Sequence, residues 1–208
     1  MKFPPSWIVV DIYKWLKDAD NFATKATNSY VERNQTNAEN VRRQTGMGKL
    51  CEFAFYEYVN STGGVCTLPD TTRYELHERS YSPDLIVNGT LRVTAKGCDN
   101  NPASWIFQYN PNRDPIFSVD ANHYDIFAGM CLLRHSKYVR ICCILPVQVL
   151  HQHNLFSEPR KAHLAGIKKA IYMVDIERKL DDHFQISWSK NKAAENNIAT
   201  LKQTRFQF

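Results

Sequence analysis

The sequence contains no apolar run long enough to cross a membrane. Its longest, 127–133 and 141–147, fall far short of the roughly 18 residues a bilayer requires. The apolar stretch 7–10 follows Pro4 and Pro5 and is cut by Asp11, so it lacks the length and flanks of a signal peptide. A cytoplasmic protein is the expectation. None of the six cysteines, at 51, 66, 98, 131, 142 and 143, forms a CxxC pair. Cys142 and Cys143 sit in an apolar run where a strand would turn them to opposite faces, so they read as reduced core thiols. Low-complexity segments, fixed-period repeats and Gly/Ser- or Pro-rich linkers are all missing, which leaves residues 1–208 as one domain. No Gly-x-Ser-x-Gly offers a serine nucleophile. Gly46-Met47-Gly48-Lys49 lacks the spacing of a Walker A loop and any preceding strand. His151, His153 and His163 have no Cys or carboxylate partner at a metal-ligand spacing.

What is present is enough apolar material for a sizeable core, with 43% hydrophobic and 12% aromatic residues. The 26 Lys and Arg against 21 Asp and Glu leave a net charge of +5, compatible with a polyanionic partner but shared by many proteins that bind none. Ile8, Ile12, Trp15, Leu16 and Ala19 recur at three- and four-residue steps and predict an amphipathic helix. Residues 28–43 are polar and Asn-rich, a loop or a solvated helix, so 1–45 reads as a mainly helical N-terminal extension. Gly46-Met47-Gly48 then breaks the pattern, and 49–59, dense in Leu, Phe, Ala and Tyr, predicts a buried helix that stops at 60–64.

Beyond that point the signal turns to strands. Residues 84–87 and 91–96 are short runs joined by Asn88-Gly89-Thr90, the signature of a β-hairpin. Residues 124–133 and 138–145 form a second pair, almost continuously apolar, as strands covered on both faces are. The opening helix, the 49–59 helix and a third helix at 158–170 would supply the cover; there Pro159 suits a first turn and Leu164, Ile167, Lys168 and Ile171 trace a stripe. The expected class is mixed α/β.

The chemistry-bearing residues gather on the first hairpin. Asp84 opens one strand after Pro83, and Lys96 closes the other, so the hairpin holds a carboxylate and an ammonium at one end of a sheet. Metal-assisted phosphodiester hydrolysis needs this pair, the carboxylate for Mg²⁺ and the lysine for water and phosphate charge. Glu52 shares its helix face with Phe55, Tyr56 and Val59, and a glutamate buried there wants a metal or a cation. The structural alternatives are an ion pair for Glu52, an Asx-type turn for Asp84 and a solvated strand end for Lys96. In 100–114, Asn100, Asn101, Gln108, Asn110, Asn112 and Arg113 offer donors to base edges, while Trp105 and Phe107 read as core. Arg42, Arg43 and Lys49 ahead of the Glu52 helix, and Lys168, Lys169, Lys190 and Lys192 later, could grip phosphates.

Glu52 on a helix, then Ser82-Pro83-Asp84, then Thr94-Ala95-Lys96-Gly97 closing a strand, resembles the PD-(D/E)XK nuclease superfamily across residues 46–110, the active-site core. The resemblance implies a restriction-endonuclease-like αβββαβ core, a mixed central sheet flanked by helices. It also implies an Mg²⁺-dependent endonuclease, with Mn²⁺ as a substitute, acting on DNA, most naturally double-stranded. Asp84, Glu52 and the Ala95 carbonyl would be the metal ligands and Lys96 the catalytic lysine. Arg42, Arg43, Lys49, Asn101, Gln108, Asn112 and Arg113 would contact DNA. A homodimer would cut both strands, whereas a monomer would more naturally nick. Thr94 departs from the pattern, since the superfamily usually carries Asp or Glu there. Some restriction-type members with a neutral residue at this position recruit a carboxylate from a neighbouring helix. Glu52 is the favoured substitute here, with Glu75, Glu78, Asp99 and Asp114 as alternatives. The competing expectation is a catalytically silent DNA-binding protein that retains the fold, with Thr94 marking the lost site.

Overall fold

The computed structural model describes residues 7–31, 37–72, 82–99, 102–108, 115–117, 124–133, 137–180, 184–186 and 201–203. Its class is mixed α/β, as expected. A five-stranded mixed sheet runs in the order β1-β6-β5-β3-β2, from β1 (Ile8–Asp11), β2 (Leu85–Val87), β3 (Leu91–Cys98), β5 (Ile126–Leu132) and β6 (Tyr138–Pro146). β3 and β5 are parallel and the other neighbouring pairs antiparallel. Both predicted strand pairs form. In the first, Asn88 and Gly89 adopt φ of 50° and 77°, which Asn and Gly tolerate best.

One face of this sheet is covered by α2 (Ala38–Ser61), against which α1 (Leu16–Val31) lies. Phe55, Val59, Leu85, Val87, Val93, Ala128 and Ile141 fill that layer. The other face is covered by a two-stranded ribbon of β4 (Ser104–Gln108) and β7 (Lys168–Tyr172), with α3 (Val147–Gln152) and α4 (Met173–Lys179). Trp105, Phe107, Phe127, Leu145, Leu150 and Ile171 pack there. Trp105 and Phe107 are core residues, as read from the sequence. A further antiparallel pair joins β8 (Phe184–Ile186) to β9 (Leu201–Gln203). None of the described helices is long and apolar enough to cross a membrane.

Four local expectations are corrected. The periodic start at Ile8 is not helical, because Ile8–Asp11 pairs with β6 as an edge strand and the helix begins only at Leu16. Tertiary pairing overrides a short apolar period. Gly46 and Gly48 do not interrupt α2, which runs unbroken from its Asn37 cap to Ser61. An added Cβ at Gly46 would lie 3.4 Å from Ala23 Cβ, so the glycine serves close approach of α1 and α2 rather than a break. Residues 158–170 do not form a helix. The segment holds a 3₁₀ turn at Ala162–Leu164 and then enters β7, where Lys168 to Tyr172 pair with β4. Cys142 and Cys143 pack against the same cluster, because a β-bulge sets Gly129 opposite Cys143 and Met130 opposite Ile141, leaving Cys142 as the extra residue. All six cysteines are free thiols, and burial pushes those of Cys66 and Cys142 up to about 12.

Candidate active site

The site is built where the β2–β3 ladder stops. Leu85 pairs with Val93, so continuing the register sets Asp84 opposite Thr94 and Pro83 opposite Ala95. Arg92 sends its N–H to Asp125 Oδ2 and receives the Asp125 N–H on its carbonyl, both at 2.8 Å, on the β5 side. Backbone groups alternate along a strand, so Val93 and Ala95 turn their N–H and C=O toward β2. Opposite Ala95 the proline has no N–H to give. The Ala95 N–H is taken instead by Asp84 Oδ2 at 2.8 Å, and the same oxygen accepts the Thr94 hydroxyl at 3.2 Å. The Pro-Asp pair thus ends the strand, withholds the ladder donor from the Ala95 carbonyl and folds a carboxylate into the gap.

Side-chain alternation completes the set. Val93 and Ala95 face α2, while Asp84, Thr94 and Lys96 share the opposite face, which bears the β4–β7 ribbon. The Lys96 ammonium lies 6.0 Å from the centroid of the Phe107 ring and makes no ion pair with an acid among the described residues. Thr94 is 1% exposed. Its hydroxyl is committed to Asp84 and supplies no charge to the site.

Glu52 reaches this region from the middle of α2. Its carboxyl is pushed up to about 8, first by burial and then by the negative charge of Asp84, with Lys49 and Lys96 opposing. The group is therefore within electrostatic reach of both hairpin residues. Glu52 Oε2 accepts from Lys49 Nζ at 2.5 Å. Lys49 is held further by the Asp70 carbonyl at 2.6 Å and lies over the Phe22 ring at 4.5 Å. Lys49 was expected to contact phosphates; it is drawn inward instead, 7% exposed, and its charge serves Glu52. The i,i+3 spacing of Lys49 and Glu52 was the sequence signal for this pair. By contrast Glu57, five residues on, is satisfied by Trp15 Nε1 at 3.0 Å and Lys14 at 2.9 Å.

The donor set is all oxygen. Glu52 and Asp84 each keep one oxygen that accepts no hydrogen bond among the described residues, and the Ala95 carbonyl lacks its ladder donor. Hard oxygen ligands from one or two carboxylates suit Mg²⁺, which keeps several waters and takes substrate phosphate oxygens. Among the described residues no three His, Cys, Asp or Glu side chains converge to hold a metal ion, and those residues bring at most two carboxylates to this site. The neutral hydroxyl of Thr94 is the reason.

Arg42 grips Asp20 through both oxygens, at 2.7 and 2.9 Å, across the α1–α2 pair. Arg43 binds Asp99 and also reaches Asn40. Both arginines remain about half exposed. Gln108 closes β4 opposite Lys168. Glu75, Glu78, Asn100, Asn101, Asn110, Asn112, Arg113, Asp114, Lys190 and Lys192 lie outside the described residues. His151 Nε2 is 2.9 Å from the Ile116 carbonyl and packs on Phe156, a structural role. No family model, no curated protein and no solved structure matches the chain.

Proposed function

We propose that the protein is a divalent-metal-dependent DNA endonuclease with a restriction-endonuclease-like core. The observation that carries this reading is the end of the β2–β3 hairpin, where Asp84 Oδ2 takes the Ala95 N–H at 2.8 Å on the sheet face that also bears Lys96, with the Glu52 carboxyl of α2 shifted by the charges of both. The chain order α2, β2, β3 supports the αβββαβ reading. Two features depart from it: β4 leaves the main sheet to pair with β7, and the described part of the β4–β5 connection is a 3₁₀ turn, Pro115–Phe117, rather than a helix.

Asp84, Glu52 and the Ala95 carbonyl would hold Mg²⁺ or Mn²⁺. When bound, such a cation acidifies water and offsets phosphate charge. The chain's own groups do the rest. Lys96, beside the Phe107 ring, orients water and counters charge on the phosphorane-like transition state. Thr94 and the Ala95 N–H fix one oxygen of Asp84, leaving the other to face the reacting centre. Lys49 keeps one oxygen of Glu52 engaged and offsets its burial.

A catalytically silent DNA-binding protein is the second reading, favoured by the hydrogen bond from Thr94 to Asp84, which satisfies the carboxylate without a cation. Incubation of supercoiled and linear DNA with Mg²⁺, Mn²⁺ or EDTA separates the two. Metal-dependent cutting that disappears in Lys96→Ala is the expected result. Cutting only in Thr94→Glu favours the silent reading, and cutting equal in Lys96→Ala removes Lys96 from the mechanism.

A further inference from the structure

The ribbon of β4 and β7 lies on the sheet face that carries Lys96, and it brings a second set of cations to that side. Phe107, whose ring neighbours the Lys96 ammonium, stands opposite Lys169 on β7, and the next pair is Gln108 opposite Lys168. Phe107 and Ile171 point into the core, so the alternate residues Lys168 and Tyr172, with Ser104 and Ile106 on β4, take the outer face, where Ala170 between them is itself buried.

This outer face has cations at both ends. Arg160 stacks its guanidinium 4.7 Å from the Tyr172 ring centroid, and its N–H donates to the Tyr172 hydroxyl at 2.7 Å. Lys168 stands four residues back along the same strand, about 13 Å away at a strand's rise of roughly 3.3 Å per residue. Neither makes an ion pair with an acid among the described residues, whereas Lys169 is committed to Glu158. Between them Ile106 is 42% exposed. Lys161 extends the positive run along the exposed segment that leads into β7. A surface with two cations set along one strand and an exposed apolar residue between them has the complementarity of a sugar-phosphate backbone.

We infer that the outer face of the β4–β7 ribbon, through Lys168 and Arg160, binds the phosphate backbone of duplex DNA on the flank of the Lys96 site. The inference rests on the DNA-nuclease reading and adds to it where the duplex lies.

The test measures binding of a fluorescein-labelled DNA duplex of about 25 base pairs in EDTA by anisotropy, across a salt series. Removing one cation that touches a phosphate lowers the slope of log K against log salt by about 1. The expected result is such a drop in Lys168→Ala and in Arg160→Ala, about 2 in the double variant, and none in Lys25→Ala, an exposed lysine on α1. All three substitutions are at surface side chains, and a melting curve for each verifies folding. Slopes unchanged in Lys168→Ala and Arg160→Ala, with the unaltered chain binding DNA, overturn the ribbon proposal and leave the nuclease reading standing. An unaltered chain that binds no duplex at low salt overturns both. Binding of anionic phospholipid vesicles that the two substitutions abolish, with DNA binding intact, assigns the face to a lipid surface and overturns the proposal.

Discussion

Asp84 Oδ2 accepts the Ala95 N–H at 2.8 Å, so one side chain takes over the ladder position where β2 has ended. Removing that oxygen strands two donors, the Ala95 N–H and the buried Thr94 hydroxyl. Asp84→Ala is expected to lower stability by about 1–3 kcal/mol. Asp84→Asn keeps a carbonyl oxygen for the Ala95 N–H and should lose less than half as much, while abolishing metal-dependent cleavage. Urea unfolding of both variants checks the difference; equal losses would show that the Asp84 oxygens do not cap the strand.

The Glu52 carboxyl, raised to about 8 in the folded chain, ionises near its ordinary value once unfolded. Between those two pH values the native state holds the extra proton. Stability present at low pH is therefore lost as pH rises from about 4.5 toward 8, by at most about 1.4 kcal/mol per pH unit. Glu52→Gln removes this contribution, so the variant should be more stable than the unaltered chain at pH 8 and less distinct from it at pH 5. Urea midpoints across this range, in EDTA, decide it. Parallel pH profiles would place Glu52 in contact with solvent.

Thr94→Glu sets a third carboxylate beside Asp84 and within reach of Glu52. In EDTA the melting temperature is expected to fall by about 5 °C, the shift that ~1–2 kcal/mol produces in a chain of this size. Mn²⁺ should recover more stability in this variant than it adds to the unaltered protein, because the cation binds only the folded site. A response to Mn²⁺ that is the same in both chains would mean that no cation sits between these residues.

At Gly97 the strand β3 runs close against α2. A Cβ there would lie 2.6 Å from Cys51 Sγ and 3.4 Å from the Met47 carbonyl. Gly97→Ala must push the helix from the strand and is expected to cost about 1–3 kcal/mol. The same displacement moves Glu52, one residue from Cys51, relative to Asp84, so cleavage should drop more than stability predicts. Pairing the substitution with Cys51→Ala, which makes room, should restore both; failure to restore either would locate the clash elsewhere.

The parts of the fold legible in the sequence were those fixed by local chemistry. Asn88-Gly89 demanded a hairpin, and the apolar runs at 124–133 and 138–145 demanded buried strands, and both formed. The misread parts were decided at a distance. Ile8–Asp11 is a strand because β6 offers an edge to pair with, and 168–172 because β4 does. Gly46 is helical because α1 lies against it. At the site, the spacing of Asp84, Thr94 and Lys96 followed from strand alternation and could be read directly. The burial of Lys49 could not, since it depends on Phe22 and the Asp70 carbonyl, residues far from it in sequence.

The short segment before Asp70 has a bearing on how copies of this chain can meet. Thr67 N–H donates to the Ile86 carbonyl, Asn88 N–H donates to the Val65 carbonyl, and the Thr67 hydroxyl accepts the Ile86 N–H. The outward main-chain groups of β2 are thereby already spoken for. A second molecule cannot lengthen the sheet by docking a strand at that border, the common route to β-augmented association and to edge-templated aggregation. Whatever comes to the Asp84 end of the hairpin must arrive over a face, with its own surface shaped to fit.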